Sequence, residues 1–521
     1  MSLDDTNPVL YANRAACSLQ LKKFLDAASD AKKATELDPC YPKGWGRLAA
    51  AYQEIDSWVA AIMAWQRAIA ALPIENLTAG ELKQKEQYEK GLKEAVMRQR
   101  KRQDEIDNGK EFHYIKERDY VGKKPADRAR AMYPELRDKG MEGFASSGWV
   151  LYHANNEFTR GLETMNKGYA FKGANGEMLY QARTGVLDSF TNAIMRDKRV
   201  FYINNPKFLE TYNLQLMSEA KTHGAWTEGG PVLIMEEAQE RLRQKGWKAV
   251  RAALGITVRS WIMRAFFAAG ITKDYGASVE WYTNAIDLLD RGRMVWRNVS
   301  QENRGVIFSN TFVRGVRSLR LESYLQAYSE DRGPNSKYPL TTLLEMAQEI
   351  AEDCLSDSPS RTVEYDPGFI SSFYVYPWAE ALAMIGYVKK EMAYFPGITE
   401  EDRFEYLSVA STSYVEAAKK LPDDDELHCW YAKIALEIYW ELKSPLYATM
   451  AAANMVAESY PKMMRIWEHS SLAMGGRDKA LAPALEYQRD MWPLIRNGAL
   501  DIRDAILPPK HFYASDSKSE A

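Results

Sequence analysis

Two stretches near the start of the chain decide the fold: residues 24–39, FLDAASDAKKATELDP, and residues 58–73, WVAAIMAWQRAIAALP. The second stretch begins 34 positions after the first. Three residues recur at that offset, since Ala27, Ala34 and Pro39 are matched by Ala61, Ala68 and Pro73. The small residues let two helices approach closely. Each proline ends a helix because the residue before a proline disfavours helical geometry. The pattern predicts a repeated pair of helices.

The length of the period indicates the kind of helix pair. A period of 34 residues is that of the tetratricopeptide repeat (TPR), a unit of two antiparallel helices. We expect Trp45, Tyr52 and Trp65 to fill the grooves between neighbouring units. A charged helix predicted over 78–102 would cap the stack. Its main apolar positions are Leu82, Leu92, Ala95 and Val96.

The first unit has no predicted neighbour on its outer side. A repeat unit buries its apolar face only against the next unit, so two units leave one such face unpaired. The sequence therefore predicts self-association through the exposed first repeat.

Weaker versions of the same pattern occur later in the chain. A hairpin is predicted over 261–289, and Ala410, Tyr414, Ala417 and Pro422 repeat the spacing of the first unit. We therefore predict an all-α protein, with TPR-type helical hairpins (an α-solenoid) followed by a larger TPR-like helical region. The predicted divisions are TPR repeats with a capping helix at 1–105, an irregular helical and loop region at 106–231, a helical TPR-like domain at 232–507 and a disordered tail at 508–521.

The irregular region contains short predicted elements. Apolar spacing predicts helices over 181–197 and 205–220. Clusters of glycine and polar residues predict loops over 173–176 and 221–231.

Composition excludes several classes of protein. The 521 residues contain 68 Lys and Arg against 71 Asp and Glu, so no global basic field attracts nucleic acid or an anionic membrane. The basic run at 98–102 ends the cap helix, where cations complement the helix dipole. No apolar run approaches the roughly 20 residues that span a bilayer, and four cysteines exclude a disulfide scaffold. We predict a cytoplasmic protein with neither a nucleic-acid nor a membrane partner.

Catalytic and metal-binding motifs are missing from the sequence. The six histidines fall in no His-x-x-x-His spacing, and no Walker loop, dinucleotide fingerprint or nucleophile elbow occurs. The acidic run at 423–426 stands where a helix begins, as expected of capping residues. We predict no enzymatic activity, no cofactor and no metal site. The alternative is an all-helical enzyme within 110–510, and a deep pocket with converging ionisable side chains would favour it.

Three polar residues in the repeats form a candidate binding site. Lys43 and Arg47 are four positions apart, so they lie on one face of a helix, and Asn13 lies one helix away. The first helices of such units line the concave surface. An amide and two cations there can hold a carboxylate by charge-assisted hydrogen bonds. The free C-terminus of an acidic peptide supplies such a carboxylate.

The same residues carry a resemblance to a known family. Residues 7–105 resemble the TPR domains of Hsp70/Hsp90 co-chaperones, which hold the chaperones' acidic C-terminal tail in a dicarboxylate clamp. Asn13 matches the clamp asparagine in its Tyr-x-Asn-Arg-Ala-Ala context, and Lys43 and Arg47 match the Lys-Gly-x-x-Arg context. The resemblance implies a co-chaperone-like adaptor that binds an Hsp70/Hsp90-type tail. The family's remaining clamp lysine and asparagine lie on a preceding repeat, in a Lys-x-x-Gly-Asn context that this sequence lacks.

Three explanations of the incomplete clamp stay open: a truncated gene sequence, a partner chain that completes the groove, or a relic. Lys43 and Arg47 can also simply solvate a helix face. We predict a protein–protein interaction scaffold whose peptide-binding residues are Asn13, Lys43 and Arg47. The alternative scaffold uses the C-terminal helical region and keeps a vestigial clamp.

Overall fold

The computed structural model of the protein describes residues 6–55, 57–107, 122–140, 145–172, 178–203, 205–360 and 362–505. The predicted loop at 173–176 and the predicted disordered tail at 508–521 lie outside these residues. The chain forms two compact units. Unit 1 comprises residues 1–114, 163–191 and 206–309, and unit 2 comprises residues 115–162, 192–205 and 310–521. The domain limits at 105, 231 and 507 stay a prediction.

Nearly all regular structure in the described residues is α-helical. The helices are α1 Pro8–Gln20, α2 Phe24–Leu37, α3 Pro42–Glu54, α4 Trp58–Ala70, α5 Ala79–Asp107, α6 Pro125–Asp138, α7 Ser147–Met165, α8 Val186–Asp197, α9 Phe208–His223, α10 Pro231–Phe267, α11 Tyr275–Val295, α12 Gln301–Arg304, α13 Asn310–Glu330, α14 Leu340–Ser356, α15 Pro367–Ile370, α16 Tyr376–Met392, α17 Glu400–Lys420, α18 Glu426–Glu441, α19 Leu446–Trp467, α20 Ser471–Met474 and α21 Arg477–Arg496. The all-α prediction is confirmed.

Short elements complete the described structure. One antiparallel hairpin joins β1 (Tyr169–Lys172) to β2 (Met178–Gln181), with Tyr169 opposite Gln181. The sequence patterns did not predict this hairpin. Turns of 3₁₀-helix occupy Lys198–Val200 and Val306–Phe308, and π-helical turns occupy Ala268–Thr272 and Ser371–Val375.

In unit 1, the first four helices form the two predicted hairpins. α1 packs on α2, α2 on α3, α3 on α4 and α4 on α5. The small residues that define the repeat have no exposed surface: Ala15, Ala27, Ala31, Ala34, Ala49, Ala61 and Ala68. Trp65 is buried, while Trp45 and Tyr52 pack against the same core from its edge. The helices end at Leu37 and Ala70, before the two prolines.

The cap helix α5 uses other contact residues than the sequence predicted. Ala95 is buried, but Leu82 and Val96 are exposed. Tyr88 takes their place, since it is 5% exposed and its ring centroid lies 5.6 Å from that of Trp65. A tyrosine among charged residues lacks a strong apolar signal, because its ring can pack while its hydroxyl stays near water.

The first hairpin is joined to a later segment of unit 1. Gly230 N donates to Ser29 Oγ at 2.7 Å, and Val232 N donates to Asp26 Oδ1 at 3.1 Å. A Cβ at Gly230 would lie 2.2 Å from Asp26 Oδ1, so only glycine fits this contact. The outer side of α2 is therefore occupied by residues of the same chain. Self-association stays a prediction.

The hairpin predicted over 261–289 is formed by α10 and α11, which pack on each other. The π-helical turn and Lys273, with a left-handed φ of 56°, make the connection. Gly246, with φ 70° and ψ 179°, interrupts α10 and kinks it.

The prediction that no run is apolar enough to span a bilayer is wrong for one helical stretch of unit 1, Pro231–Thr272. Its length and a mean hydropathy of 1.2 over 18 residues meet that criterion, and half of that window is buried. A core helix of a soluble protein has the same properties, so the predicted lack of a membrane partner stays a prediction.

Unit 2 is a succession of packed helices. α13 packs on α14, α14 on α16, and α16 on α17; α17, α18 and α19 follow in order, and α19 packs on α6 and α21. Ala410, Tyr414 and Ala417, which repeat the spacing of the first hairpin, are buried in this unit.

The acidic run at 423–426 does more than cap α18. Asp425 Oδ1 accepts a hydrogen bond from Leu427 N at 2.8 Å, as the sequence predicted. Its Oδ2 also accepts from the Tyr376 hydroxyl at 2.6 Å and from Arg199 Nη2 at 3.1 Å. Glu426 pairs with the fully buried Arg477 at 3.0 Å. The run therefore belongs to a buried ionic network, which the sequence did not predict because its basic partners lie far away in the chain.

Candidate peptide-binding site

The three predicted site residues lie on the first helices of the two hairpins, Asn13 on α1 and Lys43 and Arg47 on α3. Both helices begin at a proline, whose fixed φ suits the first helical turn. Asn7 Oδ1 accepts from Val9 N at 3.0 Å and caps α1. These local signals set where each helix begins.

Asn13 and Arg47 contact each other. Arg47 Nη1 donates a hydrogen bond to Asn13 Oδ1 at 3.2 Å, and the residues are 34 positions apart. That separation equals the repeat period, so they occupy equivalent positions in successive hairpins. This bond uses the oxygen of the Asn13 amide. The NH₂ group of the same amide, which is a donor, makes no hydrogen bond to a described residue.

Lys43 lies one helical turn before Arg47 and is exposed. No carboxylate in the described ranges lies within ion-pair distance of its ammonium group. The three side chains thus offer an ammonium, a guanidinium and an amide NH₂, which are all donors. A ligand that matches them consists of acceptors, as a carboxylate does.

Arg14, next to Asn13, has a different role. Its Nε and Nη2 donate to both carboxylate oxygens of Asp30 at 2.7 and 2.5 Å. This bidentate pair ties α1 to α2, so Arg14 is a structural residue within the motif.

The glycines of the Lys-Gly-Trp-Gly-Arg run bring α3 close to its neighbours. A Cβ at Gly44 would lie 3.2 Å from Thr35 Cγ2 on α2. A Cβ at Gly46 would lie 2.6 Å from the Tyr88 ring on α5. Burial raises the pKa of Tyr88, and the nearby Arg47 guanidinium opposes that rise. Sequence reasoning missed Tyr88 as a support of the site.

No metal site accompanies these residues: within the described part of the chain, no group of three or more His, Cys, Asp or Glu side chains is arranged to hold an ion.

The chain is similar to curated proteins over short stretches. It is 41% identical over 69 residues to the heat shock protein sti1 homolog of Schizosaccharomyces pombe, which is 13% of this chain and 12% of that protein. It is 37% identical over 81 residues to the Hsp70-Hsp90 organizing protein of Triticum aestivum, covering 15% and 14%. It is 50% identical over 46 residues to heat shock protein STI1 of Saccharomyces cerevisiae, covering 9% and 8%. The two N-terminal hairpins, with their 34-residue period, are similar to tetratricopeptide repeats.

The chain spans less than a sixth of the length of these relatives, and no family model matches it. Among solved structures it is compared with the UNC-45 chaperone, at 11% identity and a TM-score of 0.21 over 92% of this chain and 74% of that one. Yeast Tom70 gives 15% identity and a TM-score of 0.20 over 96% and 92%. Both TM-scores are too low to show a shared fold.

Proposed function

We propose that this protein is a co-chaperone-like adaptor whose repeats bind the acidic C-terminal tail of an Hsp70- or Hsp90-type chaperone. The observation that carries the proposal is the contact of Arg47 with Asn13, with Lys43 one turn away. These side chains lie on the helices that line the concave face of the repeats. The short similarity to proteins named Hsp70-Hsp90 organizing protein and STI1 supports the same function.

The chemistry of the site favours an acidic peptide over a neutral one. Lys43 and Arg47 carry two positive charges; Lys43 is exposed and Arg47 is half-buried, so both keep contact with water. A carboxylate between them relieves the repulsion of two like charges four positions apart. Exposed ion pairs contribute only about 0.2–1 kcal/mol each, so the backbone and side chains of several peptide residues must add to the affinity.

The test is a titration of the full chain with a synthetic peptide of the last residues of Hsp90. We expect a Kd of about 1 μM, or about −8 kcal/mol, and a loss of at least about tenfold for Lys43→Glu. Amidation of the peptide's C-terminus removes one carboxylate and tests whether that group is recognised.

The matched control is Lys33→Glu on α2, another exposed lysine of the first repeat. It makes the same change in net charge away from Asn13 and Arg47, so the peptide should bind it as it binds the unchanged protein. If the peptide binds Lys43→Glu as tightly as it binds Lys33→Glu, the clamp is excluded. The scaffold that docks its partner on residues 232–507 is then favoured.

We also propose where the adaptor acts and which activities and partners it lacks. A cytoplasmic location suits a partner of the Hsp70/Hsp90 class, and we propose an adaptor with no catalytic activity, cofactor, nucleic-acid partner or membrane partner. A turnover assay has no defined substrate here, so the peptide titration is the decisive measurement.

A further inference from the structure

Unit 2 encloses a cavity of about 490 Å³ that the adaptor function does not use. Its walls come from the segment 194–199 and from helices α13, α16, α17 and α18, all within unit 2. The volume lies in the range of small-molecule sites, about 300–1,000 Å³. Aromatic side chains form much of the lining: Tyr376, Tyr387, Tyr414, Trp430 and Tyr431.

Hydroxyl groups without partners line this cavity. Ser372 is 3% exposed, yet its Oγ makes no hydrogen bond to any described residue. Ser318 Oγ is likewise buried and makes no hydrogen bond to a described residue. A buried polar group that lacks a partner destabilises the fold. Both serines line the cavity, so a ligand there can restore the missing bonds.

Ser372 owes its position to a local irregularity. It lies in the π-helical turn Ser371–Val375, which ends at Tyr376. Such turns occur often at functional sites because they redirect side chains. Arg314, whose side chain is fully buried, donates to Phe373 O at 2.7 Å and holds the turn. The irregular segment is thus fixed by the fold.

The ionic groups around the cavity do not balance. The lining cations are Arg196, Lys198 and Arg199, and the lining anions are Asp197, Glu322, Glu380 and Glu426. Their direct partners outside the lining are Arg477, Asp366 and Asp425. Four cations face six anions, which is a formal net charge of −2 when all are ionised. A positively charged ligand would offset this excess of negative charge.

Glu380 is the lining carboxylate left over by this pairing. Arg196 binds Asp366 with two hydrogen bonds of 3.0 and 2.9 Å, and Arg199 binds Asp197 and Asp425. Lys198 pairs with Glu322. Glu380 makes no hydrogen bond or ion pair to a described residue. Burial raises its pKa, and the nearby positive charges of Lys198 and Arg199 partly oppose that rise.

We propose that this cavity binds an organic cation, a small amine with an aromatic or aliphatic body, whose ammonium group pairs with Glu380. The amine supplies the missing positive charge and donates hydrogen bonds. Its body packs against the aromatic walls, whose ring faces attract cations. A polar substituent on the amine reaches the hydroxyl groups of Ser318 and Ser372.

The experiment uses the full chain and three arylalkylamines: benzylamine, phenethylamine and tryptamine. Calorimetry and tyrosine–tryptophan fluorescence compare the binding of each amine with that of the neutral alcohol and of the carboxylate that carry the same ring. We expect at least one amine to bind about tenfold or more tightly than its alcohol and carboxylate. Glu380→Gln should weaken the amine by about tenfold and leave the alcohol unchanged.

Two variants separate loss of binding from loss of the fold. Glu401→Gln removes an exposed carboxylate on α17 and should bind the amine normally. Ser372→Ala removes the buried hydroxyl that has no partner, so its helical circular dichroism should match that of the unchanged chain and its melting temperature should be equal or higher. Amines that bind no better than their alcohols, tighter binding of the carboxylates, no binding of any probe, or an unaffected Glu380→Gln would each overturn the proposal.

Discussion

The guanidinium of Arg47 donates a hydrogen bond to the side-chain oxygen of Asn13 across 3.2 Å, although 34 residues separate them in the chain. The repeat period makes the two positions equivalent, so stacking the hairpins brings them together. The bond also assigns the Asn13 amide: its oxygen faces Arg47, and its NH₂ group is the part that the proposed peptide would contact.

This assignment predicts the effect of Asn13→Asp. The new carboxylate still accepts the hydrogen bond from Arg47, but it offers no donor and adds a negative charge. We expect the acidic peptide to bind at least about tenfold more weakly, with no loss in melting temperature, because an ion pair replaces the hydrogen bond from a guanidinium to a neutral amide. Calorimetric titration and thermal melting check both parts. Binding as tight as that of the unchanged protein would contradict the geometry.

The close approach of Gly46 to Tyr88 predicts that a larger residue at position 46 destabilises the fold. A Cβ there would lie 2.6 Å from the Tyr88 ring, which is buried and cannot easily withdraw. Gly46→Ala should lower the free energy of unfolding by about 1–3 kcal/mol.

The control for this change is Gly80→Ala in the first turn of α5, where the nearest atom would be 3.9 Å away. That variant should be neutral or gain up to about 1 kcal/mol from the higher helix propensity of alanine. Urea denaturation of both variants makes the comparison. Equal stabilities would mean that Tyr88 does not restrict α3.

Glu280 on α11 predicts a dependence of stability on pH. Burial raises its pKa from 4.5 to about 7, and the hydrogen bond from Asn284 Nδ2 at 2.8 Å opposes that rise. The folded protein therefore binds more protons here than the unfolded chain between about pH 4.5 and 7. As pH rises through that window the free energy of unfolding should fall, by at most about 3 kcal/mol, and then level off.

Glu280→Gln should flatten this part of the stability profile and gain stability at pH 8. Denaturation at several pH values between 5 and 8 measures the free energy of unfolding of the variant and of the unchanged protein. Glu302→Gln, an exposed residue of unit 1, serves as the control and should keep the slope. A slope unchanged in Glu280→Gln would assign the titration to another group.

The ion pair of Arg477 with Glu426 predicts a large loss when it is broken. Arg477 has no exposed side-chain surface, and its Nη1 donates to Glu426 at 3.0 Å and to Trp467 O at 2.8 Å. Arg477→Met leaves the buried Glu426 carboxylate with only the more distant Arg199, at 3.6 Å, so the loss should approach the cost of breaking a buried pair, about 3–5 kcal/mol.

Arg489→Met tests the same substitution on the surface. Arg489 pairs with Asp490 at 2.9 Å, but both side chains are more than half exposed, so the change should leave the free energy of unfolding nearly unchanged. Chemical denaturation of the two variants gives the comparison. Similar losses would show that the buried pair contributes no more than a surface pair.

Sequence and structure agree where the pattern is local. The buried alanines at 27, 34, 61 and 68 follow from a period that any stacked hairpin must keep. The cap helix was placed correctly, yet its contacts were not, because Tyr88 replaces Leu82 and Val96. Similarly, the acidic run at 423–426 was recognised as a cap, whereas its partner Arg199, 226 residues from Asp425 in the chain, could not be foreseen.

The sequence by itself determined the helical hairpins and which helix faces are buried, because helix periodicity, small residues and prolines act over a few positions. It also brought Asn13 and Arg47 to equivalent places, since a repeat fixes spatial order through spacing alone. Only the tertiary structure decided that Ser29 and Asp26 bind the backbone of residues 230–232, and that an aromatic cavity with excess negative charge forms in unit 2. Those arrangements join residues far apart in the chain, whose mutual distances depend on how whole helices pack.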